Sequence, residues 1–430
     1  MFLEVEIVFG LNVARQLVSW ISVLCFGAAA AIIISMFRSS ADPLSPARIF
    51  GLIWSLSVGL TDLKLSGFQH DWSFEAWCLL LIAVGSFLTG TFVAFVGNMN
   101  TNLIPLSEMR QMLMTEKIRE GRLFWLICFG SFVYLVAFYV NFLVKGWIPI
   151  LTVGTNVSRV DFNVSGLTLF LYTAVFVIFF TVLYYVMVPE NKAKKAALTS
   201  ILLVVVGSFL LLIIRYPIIL TAVICVTFLY YSTHYIRLRT ALPVLIVVVS
   251  FFYWISSLRF SHVISSFLYY VSKMRFSKDY AFLTEPYMYI SMNLENFARG
   301  VSRLDSYTFG YFTFDFVTAL SGLKYWAMEY FKLDRTPFLG SNYNTYTAFW
   351  WFYNDFGVIG LAAIPFLLGL GIGITYYRLR TKPTLTKVAL YGIMVFVLFI
   401  SYFNFPVSFL WFQYNILVIL LGLRWVRRVN

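Results

Sequence analysis

Charged residues are scarce in this sequence. Asp, Glu, Lys and Arg make up 12% of its 430 residues, whereas hydrophobic residues make up 60%. Charged residues make up about a quarter of a soluble domain, so this composition excludes a soluble protein. Most of the chain's surface should instead face lipid. Apolar runs such as ILLVVVGSFLLLII also lack the polar and apolar alternation of membrane β-strands. The sequence therefore predicts membrane-spanning helices.

Motifs for metal or nucleotide chemistry are also missing. The chain has no H-E-x-x-H sequence, no phosphate-binding P-loop and no C-x-x-C pair, and its histidines are scattered. These absences argue against metal-dependent hydrolysis and ATP use. The cysteines all fall within predicted spans, which indicates small apolar residues rather than a disulfide framework. They are Cys25, Cys78, Cys128 and Cys225. The N-terminus lacks a basic region and a cleavage site, so we expect no cleaved signal peptide.

Long apolar runs recur along the chain at lengths that cross a hydrocarbon core, which takes about 20 helical residues. We predict an all-α polytopic membrane protein with about eleven transmembrane helices, built as a single integral membrane domain over residues 1–430. The predicted spans are residues 13–36, 48–65, 75–97, 123–144, 166–188, 197–214, 217–233, 241–258, 357–377, 385–403 and 407–424.

Lysine and arginine concentrate in alternate loops between these spans. Residues 110–122, 192–195 and 378–387 are examples of the basic loops. The positive-inside rule assigns these loops to the cytoplasm, which puts the N-terminus outside and the C-terminus inside. The net charge of +13 is therefore mainly a topology signal, helped by anionic headgroups of the lipid bilayer, and it does not indicate nucleic-acid binding.

One predicted outer segment is much longer than the others. Residues 259–356, between the spans 241–258 and 357–377, carry too many charges to cross the bilayer and too many aromatic residues for a disordered linker. We expect this large extracytoplasmic loop to be folded, to contain short helices and to be functional. Its stretch HVISSFLYYVSKMRF has the helical spacing of apolar residues and the terminal basic residues of an interfacial helix.

An arginine interrupts the apolar stretch LLLIIRYPIILTAV. Arg215 is followed by Tyr216 and Pro217, and proline favours a bend, so two short helices should meet at the outer face. An arginine in or beside the bilayer is costly unless it is paired or faces a polar cavity. We interpret Arg215 as a binding site for an anion or an acidic partner. The alternative is an arginine that snorkels from a tight turn.

Other arginines occur in the predicted outer loops. Arg159 lies in the loop GWIPILTVGTNVSRVDFNVSG, where Asp161 could be an ordinary ion-pair partner. The large loop adds Arg299 and Arg303. Arginines that converge from separate loops would suit a diphosphate, whose oxygens accept paired guanidinium hydrogen bonds. The loop also carries the acidic residues Glu285, Glu295 and Asp305.

The stretch GSNYNTYTAFWWFYNDFGVIG is unusually polar for its position before a span. It carries the amides, hydroxyls and aromatic rings that bind sugars, including Asn344, Tyr346, Thr347 and Tyr353. Asp355 lies near the predicted membrane boundary, where aromatic residues are enriched. The alternative interpretation is structural, with Asp355 capping the first turn of the following span. Glycines in GLGIG, residues 369–373, more plausibly let helices approach than bind a dinucleotide.

At these residues the chain resembles a known family. Asn344, Thr345, Tyr346 and Thr347 are similar to an N-x-Y-T pattern, and residues 353–360, YNDFGVIG, are similar to Y-x-D-F-G-x-x-G. These patterns are found in bacterial oligosaccharide repeat-unit polymerases of the Wzy type, which lengthen O-antigen. The segments SPARIFGLIWSL and IIRYP and the Arg159 loop resemble the family in order and spacing. Arg299 and Gly310 match an R-x10-G element of some members.

The resemblance implies a membrane glycosyltransferase of the GT-C kind in the bacterial inner membrane, with its active site on the periplasmic side. It would transfer a glycan from its undecaprenyl diphosphate carrier to the terminal sugar of an incoming lipid-linked unit, without a nucleotide sugar, metal or other cofactor. A chain-length regulator and a flippase are the protein partners that the resemblance adds. Arg215, Arg159 and Arg299 would stabilise the charge of the departing diphosphate.

The acceptor hydroxyl would need a general base, and several groups remain open. The candidates are Glu285, Glu295, Asp315, Asp355 and His262. No histidine matches the one that related O-antigen ligases use in their large loop. Two other functions also remain open. An O-antigen ligase has a similar architecture, and a lipid-linked sugar flippase or other transporter could line a path with arginines, although this chain has no convincing internal repeat.

Overall fold

The computed structural model is all α-helical over the residues that it describes, which are 19–38, 42–152, 162–164, 166–188, 191–234, 263–330 and 345–427. These residues form no sheet, and their only β-type pairings are isolated bridges between Ser66 and Met274 and between Ile118 and Arg427. The helices are α1 (Trp20–Met36), α2 (Pro46–Asp62), α3 (Phe74–Val96), α4 (Leu106–Met114), α5 (Glu120–Lys145), α6 (Thr173–Met187), α7 (Lys192–Leu211), α8 (Arg215–Ser232), α9 (Val263–Val271), α10 (Thr284–Val301), α11 (Asp315–Leu320), α12 (Leu323–Tyr330), α13 (Ala348–Thr381), α14 (Leu385–Ile400) and α15 (Leu410–Val426).

Six of the described helices are long and apolar enough to cross a membrane. They are α3, α5, α6 with its preceding turn (Thr168–Met187), α7, α8 and α13. Helices α1, α14 and α15 are shorter and also apolar. The chain is therefore a multi-pass membrane protein by helix length and composition.

The predicted spans that fall on described residues each overlap one of the helices given above. The span predicted at residues 48–65 corresponds to α2, which has 17 residues and is not among the six candidates. The span predicted at residues 241–258 lies outside the described residues. The count of about eleven spans and their orientation therefore stay predictions.

The described chain divides into two compact units. The first comprises residues 1–99, 262–374 and 397–409, and the second comprises residues 100–261, 375–396 and 410–430. Each unit is discontinuous in sequence. The connection from α2 to α3 and the residues between α9 and α13 belong to the first unit. Helix α8 belongs to the second unit.

In the first unit, α1 and α2 are joined by a buried carboxylate. Asp62 accepts hydrogen bonds from the backbone N–H of Ser22 at 3.1 Å and from its hydroxyl at 2.7 Å. The hydroxyl of Ser19, the N-cap residue of α1, also donates to Asp62. Asp62 therefore helps to satisfy the start of α1, whose first N–H groups have no partner within the helix.

Glycines allow α3 and α13 of the first unit to pack backbone against backbone. A Cβ at Gly90 would lie 2.1 Å from the carbonyl oxygen of Phe366, and one at Gly369 would lie 2.2 Å from that of Phe87. The prediction that glycines in residues 369–373 let helices approach is confirmed at Gly369. Gly371 differs, since a Cβ there would meet no atom within 4 Å.

Helix α13 begins at Ala348, earlier than the predicted start of this span at residue 357. Gly357 interrupts it with φ 61° and ψ −144°, a conformation that is essentially restricted to glycine. A Cβ at Gly357 would also lie 2.7 Å from the ring of Tyr307. The predicted boundary thus coincides with an interruption of α13, and residues 348–356, expected in the loop, form the first segment of the helix.

In the second unit, aromatic rings fill the space that glycines leave. A Cβ at Gly130 of α5 and one at Gly422 of α15 would each lie 2.9 Å from the ring of Phe176 of α6. Glu120 at the start of α5 accepts hydrogen bonds from Lys194 at 2.8 Å and from Tyr184 at 3.1 Å. Close packing and an ion pair therefore join α5, α6, α7 and α15.

Candidate functional site

Helix α10 carries an unusual number of buried polar side chains. Ser291, Asn293, Glu295 and Asn296 are each at most 1% exposed. Buried polar groups are almost always hydrogen-bonded, and segments that pack on α10 supply partners for several of these side chains. Glu295 is bonded by the connection between α2 and α3, and Asn293 and Asn296 by Thr345, which precedes α13.

Glu295 is the centre of the first group of contacts. Its side chain is 2% exposed. One carboxylate oxygen, Oε1, accepts the backbone N–H of His70 at 3.1 Å and lies 3.2 Å from Nδ1 of the His70 ring. The other, Oε2, accepts the indole N–H of Trp72 at 2.9 Å. These donors make burial of a carboxylate tolerable.

Arg299 lies one helical turn beyond Glu295, and its Nε is 3.5 Å from Glu295 Oε1. Its Nη2 donates to the carbonyl oxygen of Phe68 at 2.7 Å and lies 3.1 Å from Nδ1 of His70. The side chain is 22% exposed. Within the part of the chain that the structure describes, Nη1 makes no hydrogen bond. The guanidinium is thus held by its neighbours and still partly exposed, as an anion-binding group would be. We call His70, Trp72, Glu295 and Arg299 the Glu295 cluster.

The loop that supplies His70 is held in place by its own hydrogen bonds. Gln69 accepts from the backbone N–H of Ser66 at 3.1 Å and donates to the carbonyl oxygen of Thr61 at 2.8 Å. The hydroxyl of Tyr287 on α10 donates to Gln69 at 2.6 Å and accepts the backbone N–H of Leu65 at 2.9 Å. Burial raises the pKa of Tyr287 to about 12. The loop is therefore tied to α10 by side-chain hydrogen bonds.

The exposed side of the cluster has a charged and an aromatic part. The His70 side chain is 67% exposed. Next to it, a hydrogen bond from Lys64 lowers the pKa of Asp71 below its ordinary value. Trp72 is half-buried, and its ring packs on that of Trp77 with centroids 4.5 Å apart. Aromatic faces beside hydrogen-bonding groups suit a sugar, as the sequence predicts for the polar stretch.

The polar stretch itself packs against the other side of α10. Asn296 donates to the carbonyl oxygen of Thr345 at 2.9 Å, and the Thr345 hydroxyl donates to Asn293. A Cβ at Gly300 would lie 2.1 Å from the Trp350 ring, so no larger residue fits there. Thr345 of this stretch thus hydrogen-bonds with two side-chain amides of α10.

Several predicted substrate-binding residues are deeply buried. Tyr346 is 1% exposed and stacks on Trp350 with centroids 4.7 Å apart, and Thr347 and Tyr353 are 0% and 6% exposed. The Thr347 hydroxyl and the indole N–H of Trp350 are buried without a hydrogen bond to any described residue. In this structure these side chains shape the wall behind α10 rather than its exposed surface.

Asp355 is 0% exposed and holds a loop in place. Its carboxylate accepts the backbone N–H of Phe312 at 3.3 Å and that of Thr313 at 2.5 Å, and it also accepts the hydroxyl of Thr308. It does not cap the first turn of its own helix, because that helix begins at Ala348. The arrangement fits the positioning of residues 308–313 better than proton transfer from a substrate. The predicted catalytic role of Asp355 stays a prediction.

The other predicted residues lie apart or outside the described residues. Glu285 is in the first turn of α10, about 21 Å along the helix axis from Arg299 at 1.5 Å per residue. Arg303 is exposed just beyond the end of α10. Arg159 and Asn344 fall on residues that the structure does not describe.

Arg215 is the first residue of α8 and is half-buried, with Tyr216 beside it. The short turn that precedes it contains Ile213 with φ 55°, a rare conformation for a β-branched residue. Strain of this kind is often found at functional sites. The two helices predicted to meet at Arg215 are present as α7 and α8. Convergence of Arg215 with arginines of other segments stays a prediction.

Sequence reasoning missed His70 and Trp72. It treated His70 as one of the scattered histidines and considered Glu295 only as a candidate base. The predicted topology could have indicated them, because it assigned residues 66–74 and the large loop to the same side of the membrane. Polar and aromatic residues in that short loop, with the sequence QHDW, were therefore candidates to meet the large loop.

The Glu295 cluster contains one carboxylate and one imidazole, and no group of three or more His, Cys, Asp or Glu among the described residues could hold a metal ion. A comparison of the chain with protein-family models, with curated proteins and with solved structures finds no match.

Proposed function

We propose that the protein is a membrane glycosyltransferase that polymerises undecaprenyl-diphosphate-linked oligosaccharide repeat units into a surface polysaccharide such as O-antigen. The observation that carries this proposal is the guanidinium of Arg299, which Phe68 and Glu295 hold in place while 22% of the side chain remains exposed. Beside it lie an exposed imidazole and the half-buried ring of Trp72. Such a surface offers a diphosphate a charged partner and a sugar an aromatic face.

The contacts of the Glu295 cluster support the predicted topology. Residues 66–74 and the large loop are expected on the periplasmic side, and their backbones meet at the Ser66 and Met274 bridge. The Ser66 hydroxyl donates to the carbonyl oxygen of Ser272 at 2.7 Å, and Arg299 donates to that of Phe68. Loops on opposite sides of a bilayer about 30 Å thick could not make these hydrogen bonds. We therefore propose about eleven spans, with the active site on the periplasmic face of the bacterial inner membrane.

Arg299 would act on the leaving group of the reaction. When the bond from the anomeric carbon to the phosphate breaks, negative charge develops on the diphosphate. A fixed cation at that position stabilises the transition state without reorganising during the reaction. Two hydrogen bonds from one guanidinium also orient a phosphate, which a lysine would not do as well.

Arg215 would supply a second cationic group to the same reaction. It stands at the start of an 18-residue helix, where the positive end of the helix dipole favours anions. Arg159 was predicted for the same role on sequence grounds. The family resemblance supports both assignments, since IIRYP and the Arg159 loop occur in the order that the family shows.

Asp355 and its neighbours would support the site from behind. The patterns that resemble the polymerase family run through residues 344–360, and the described part of this stretch packs on α10 and on residues 308–313. Support of this kind fixes functional groups within a fraction of an ångström of their working positions. We propose this role for Tyr346, Thr347, Tyr353 and Asp355.

Deletion of the gene tests the proposal in the bacterium that carries it. Surface polysaccharide is separated by gel electrophoresis and compared with that of the complemented strain. A polymerase mutant should make lipopolysaccharide capped with a single repeat unit and lose the ladder of longer chains. Loss of every capped form would instead indicate a ligase or a flippase and would contradict the proposal.

A further inference from the structure

The ring nitrogen Nδ1 of His70 lies between a partner to which it must donate a hydrogen bond and a partner from which it must accept one. Glu295 Oε1 is 3.2 Å away, and Arg299 Nη2 is 3.1 Å away. An ionised carboxylate only accepts hydrogen bonds, and a guanidinium only donates them. Nδ1 therefore carries a proton when it pairs with Glu295 and a lone pair when it pairs with Arg299.

Both arrangements leave the remaining groups hydrogen-bonded. Without the ring, Glu295 still accepts the backbone N–H of His70 and the indole N–H of Trp72. Without the ring, Arg299 still donates to the carbonyl oxygen of Phe68. Neither tautomer of His70 orphans a buried polar group, which would cost about 1–3 kcal/mol. The two tautomers are therefore close enough in free energy for a ligand to choose between them.

We infer that His70 is the general base of the site and that an anion bound to Arg299 switches it into its working tautomer. In neutral imidazole the state of Nδ1 fixes that of Nε2. When Arg299 donates to Nδ1, the proton is on Nε2, which then cannot accept another. When phosphate oxygens take up the guanidinium N–H groups, Nδ1–H pairs with Glu295 and Nε2 presents a lone pair to the exposed side.

The chemical step rests on the proposed function. The acceptor hydroxyl gives its proton to Nε2 of His70 while its oxygen forms a bond to the anomeric carbon of the donor. The bond from that carbon to the phosphate oxygen breaks, and its electron pair leaves with the diphosphate. The imidazolium, stabilised by Glu295, later releases its proton to water. A base that forms only when a diphosphate is bound would not activate an acceptor in the absence of a donor.

Among the residues that the structure describes, few charged groups surround His70. Glu295 and Arg299 face it from α10, and Asp71 adjoins it in its own loop, paired with Lys64. Arg275, which follows α9, acts on Asp71. The distances single out Glu295 and Arg299 as the residues that control Nδ1, so Glu295 is a positioning residue and His70 the catalytic one.

The first experiment needs no enzymatic activity. Full-length protein labelled with ¹⁵N-histidine is studied by NMR in lipid nanodiscs, and the signals of His70 are identified by their loss in His70→Gln. Inorganic pyrophosphate, without metal, is then titrated in. We expect the Nδ1–H tautomer of His70 to increase with pyrophosphate in the wild type and not in Arg299→Gln. A tautomer ratio that pyrophosphate leaves unchanged would overturn the switch.

The second experiment measures chain extension with a lipid-linked repeat unit. His70→Gln should lower the rate by about 10²-fold or more, the usual contribution of general base catalysis. Because His70 is exposed, the variant should fold, and Lys278→Gln, at an exposed position of the same unit, is the surface control. Glu295→Gln should lower the rate less and reduce the increase of the Nδ1–H tautomer with pyrophosphate, since an amide oxygen is a weaker acceptor than a carboxylate.

The outcomes separate this inference from the proposed function. A wild-type protein that extends chains while His70→Gln does so at the same rate overturns the role of His70 and leaves the polymerase proposal intact. A wild-type protein that extends no chains but shifts its tautomer with pyrophosphate contradicts the polymerase proposal and supports the switch.

Discussion

Glu295 and His70 are 225 residues apart in sequence, yet a carboxylate oxygen of Glu295 lies 3.2 Å from the ring nitrogen Nδ1 of His70. The carboxylate is buried and the imidazole is exposed. A buried anion therefore orients a titratable group at the surface of the first unit. Carboxylates orient imidazoles in this way in many general acid and base sites.

Arg299 should be required for chain extension. Removal of one preorganised charge-stabilising donor typically lowers a rate constant by about 10²-fold or more, so Arg299→Gln should reduce polymer formation to that extent. The measurement is the rate of glycan extension by purified protein. Lys278→Gln removes an exposed positive charge of the same unit and should leave the rate unchanged. Equal rates in the two variants would exclude Arg299 from the mechanism.

Arg215 should also be required, as the sequence predicts. Arg215→Ala removes a cation at the start of α8 and should abolish the long-chain ladder in a complementation assay, while membrane levels of the protein stay normal. Lys117→Ala is the control, because it removes an exposed positive charge of the second unit. Long polymer of normal length from Arg215→Ala would remove Arg215 from the mechanism.

Asp355 should act on stability more than on chemistry. In Asp355→Asn an amide N–H₂ can face the backbone N–H groups of Phe312 and Thr313, which then lose an acceptor. An unsatisfied buried group costs about 1–3 kcal/mol, so the variant should unfold at lower temperature. Thermal unfolding in detergent measures this, with the exposed Asp305→Asn as the control. An unaltered unfolding temperature together with lost polymerisation would favour the catalytic role predicted from the sequence.

Tyr287 should stabilise the loop that carries His70. Tyr287→Phe leaves the backbone N–H of Leu65 without its acceptor and should lower the free energy of unfolding by about 1–3 kcal/mol. Burial raises the pKa of Tyr287 from 10.0 to about 12 in the folded protein. Its contribution to the free energy of unfolding is therefore complete below pH 10 and is lost as the pH rises toward 12.

The difference in unfolding temperature between wild type and Tyr287→Phe should therefore be smaller at pH 11 than at pH 8, conditions on either side of the ordinary tyrosine pKa of about 10. Tyr280→Phe, at an exposed position, is the control and should resemble the wild type at both. A difference that grows with pH would contradict the assigned cause of the shift.

The membrane helices could be predicted from the sequence because composition and length alone determine which segments cross a bilayer. The close approach at Gly369 was predictable for a similar local reason. The start of α13 at Ala348 could not be predicted, because the apolar run begins only at Gly357, where the helix is interrupted. The polar residues before Gly357 are helical because of tertiary packing. The first segment is stabilised by its packing on α10, which no local pattern records.

The candidate site was predictable only in part. Arg299 could be selected because arginines of outer loops are natural partners for a diphosphate. His70 could not, since nothing in its local sequence distinguishes a histidine on a solvent-exposed turn from one beside a buried carboxylate. That distinction depends on Glu295, which the chain reaches only after most of its predicted spans.

Incubation of the purified protein with its lipid-linked repeat unit tests the central claim most directly. The substrate is isolated from cells that lack this protein, and the reaction contains a chelator and no nucleotide. We expect longer glycans to appear on the lipid carrier, with undecaprenyl diphosphate released and with no extension by Arg299→Gln. Absence of longer glycans, or their appearance only after a nucleotide sugar is added, would contradict the proposed function.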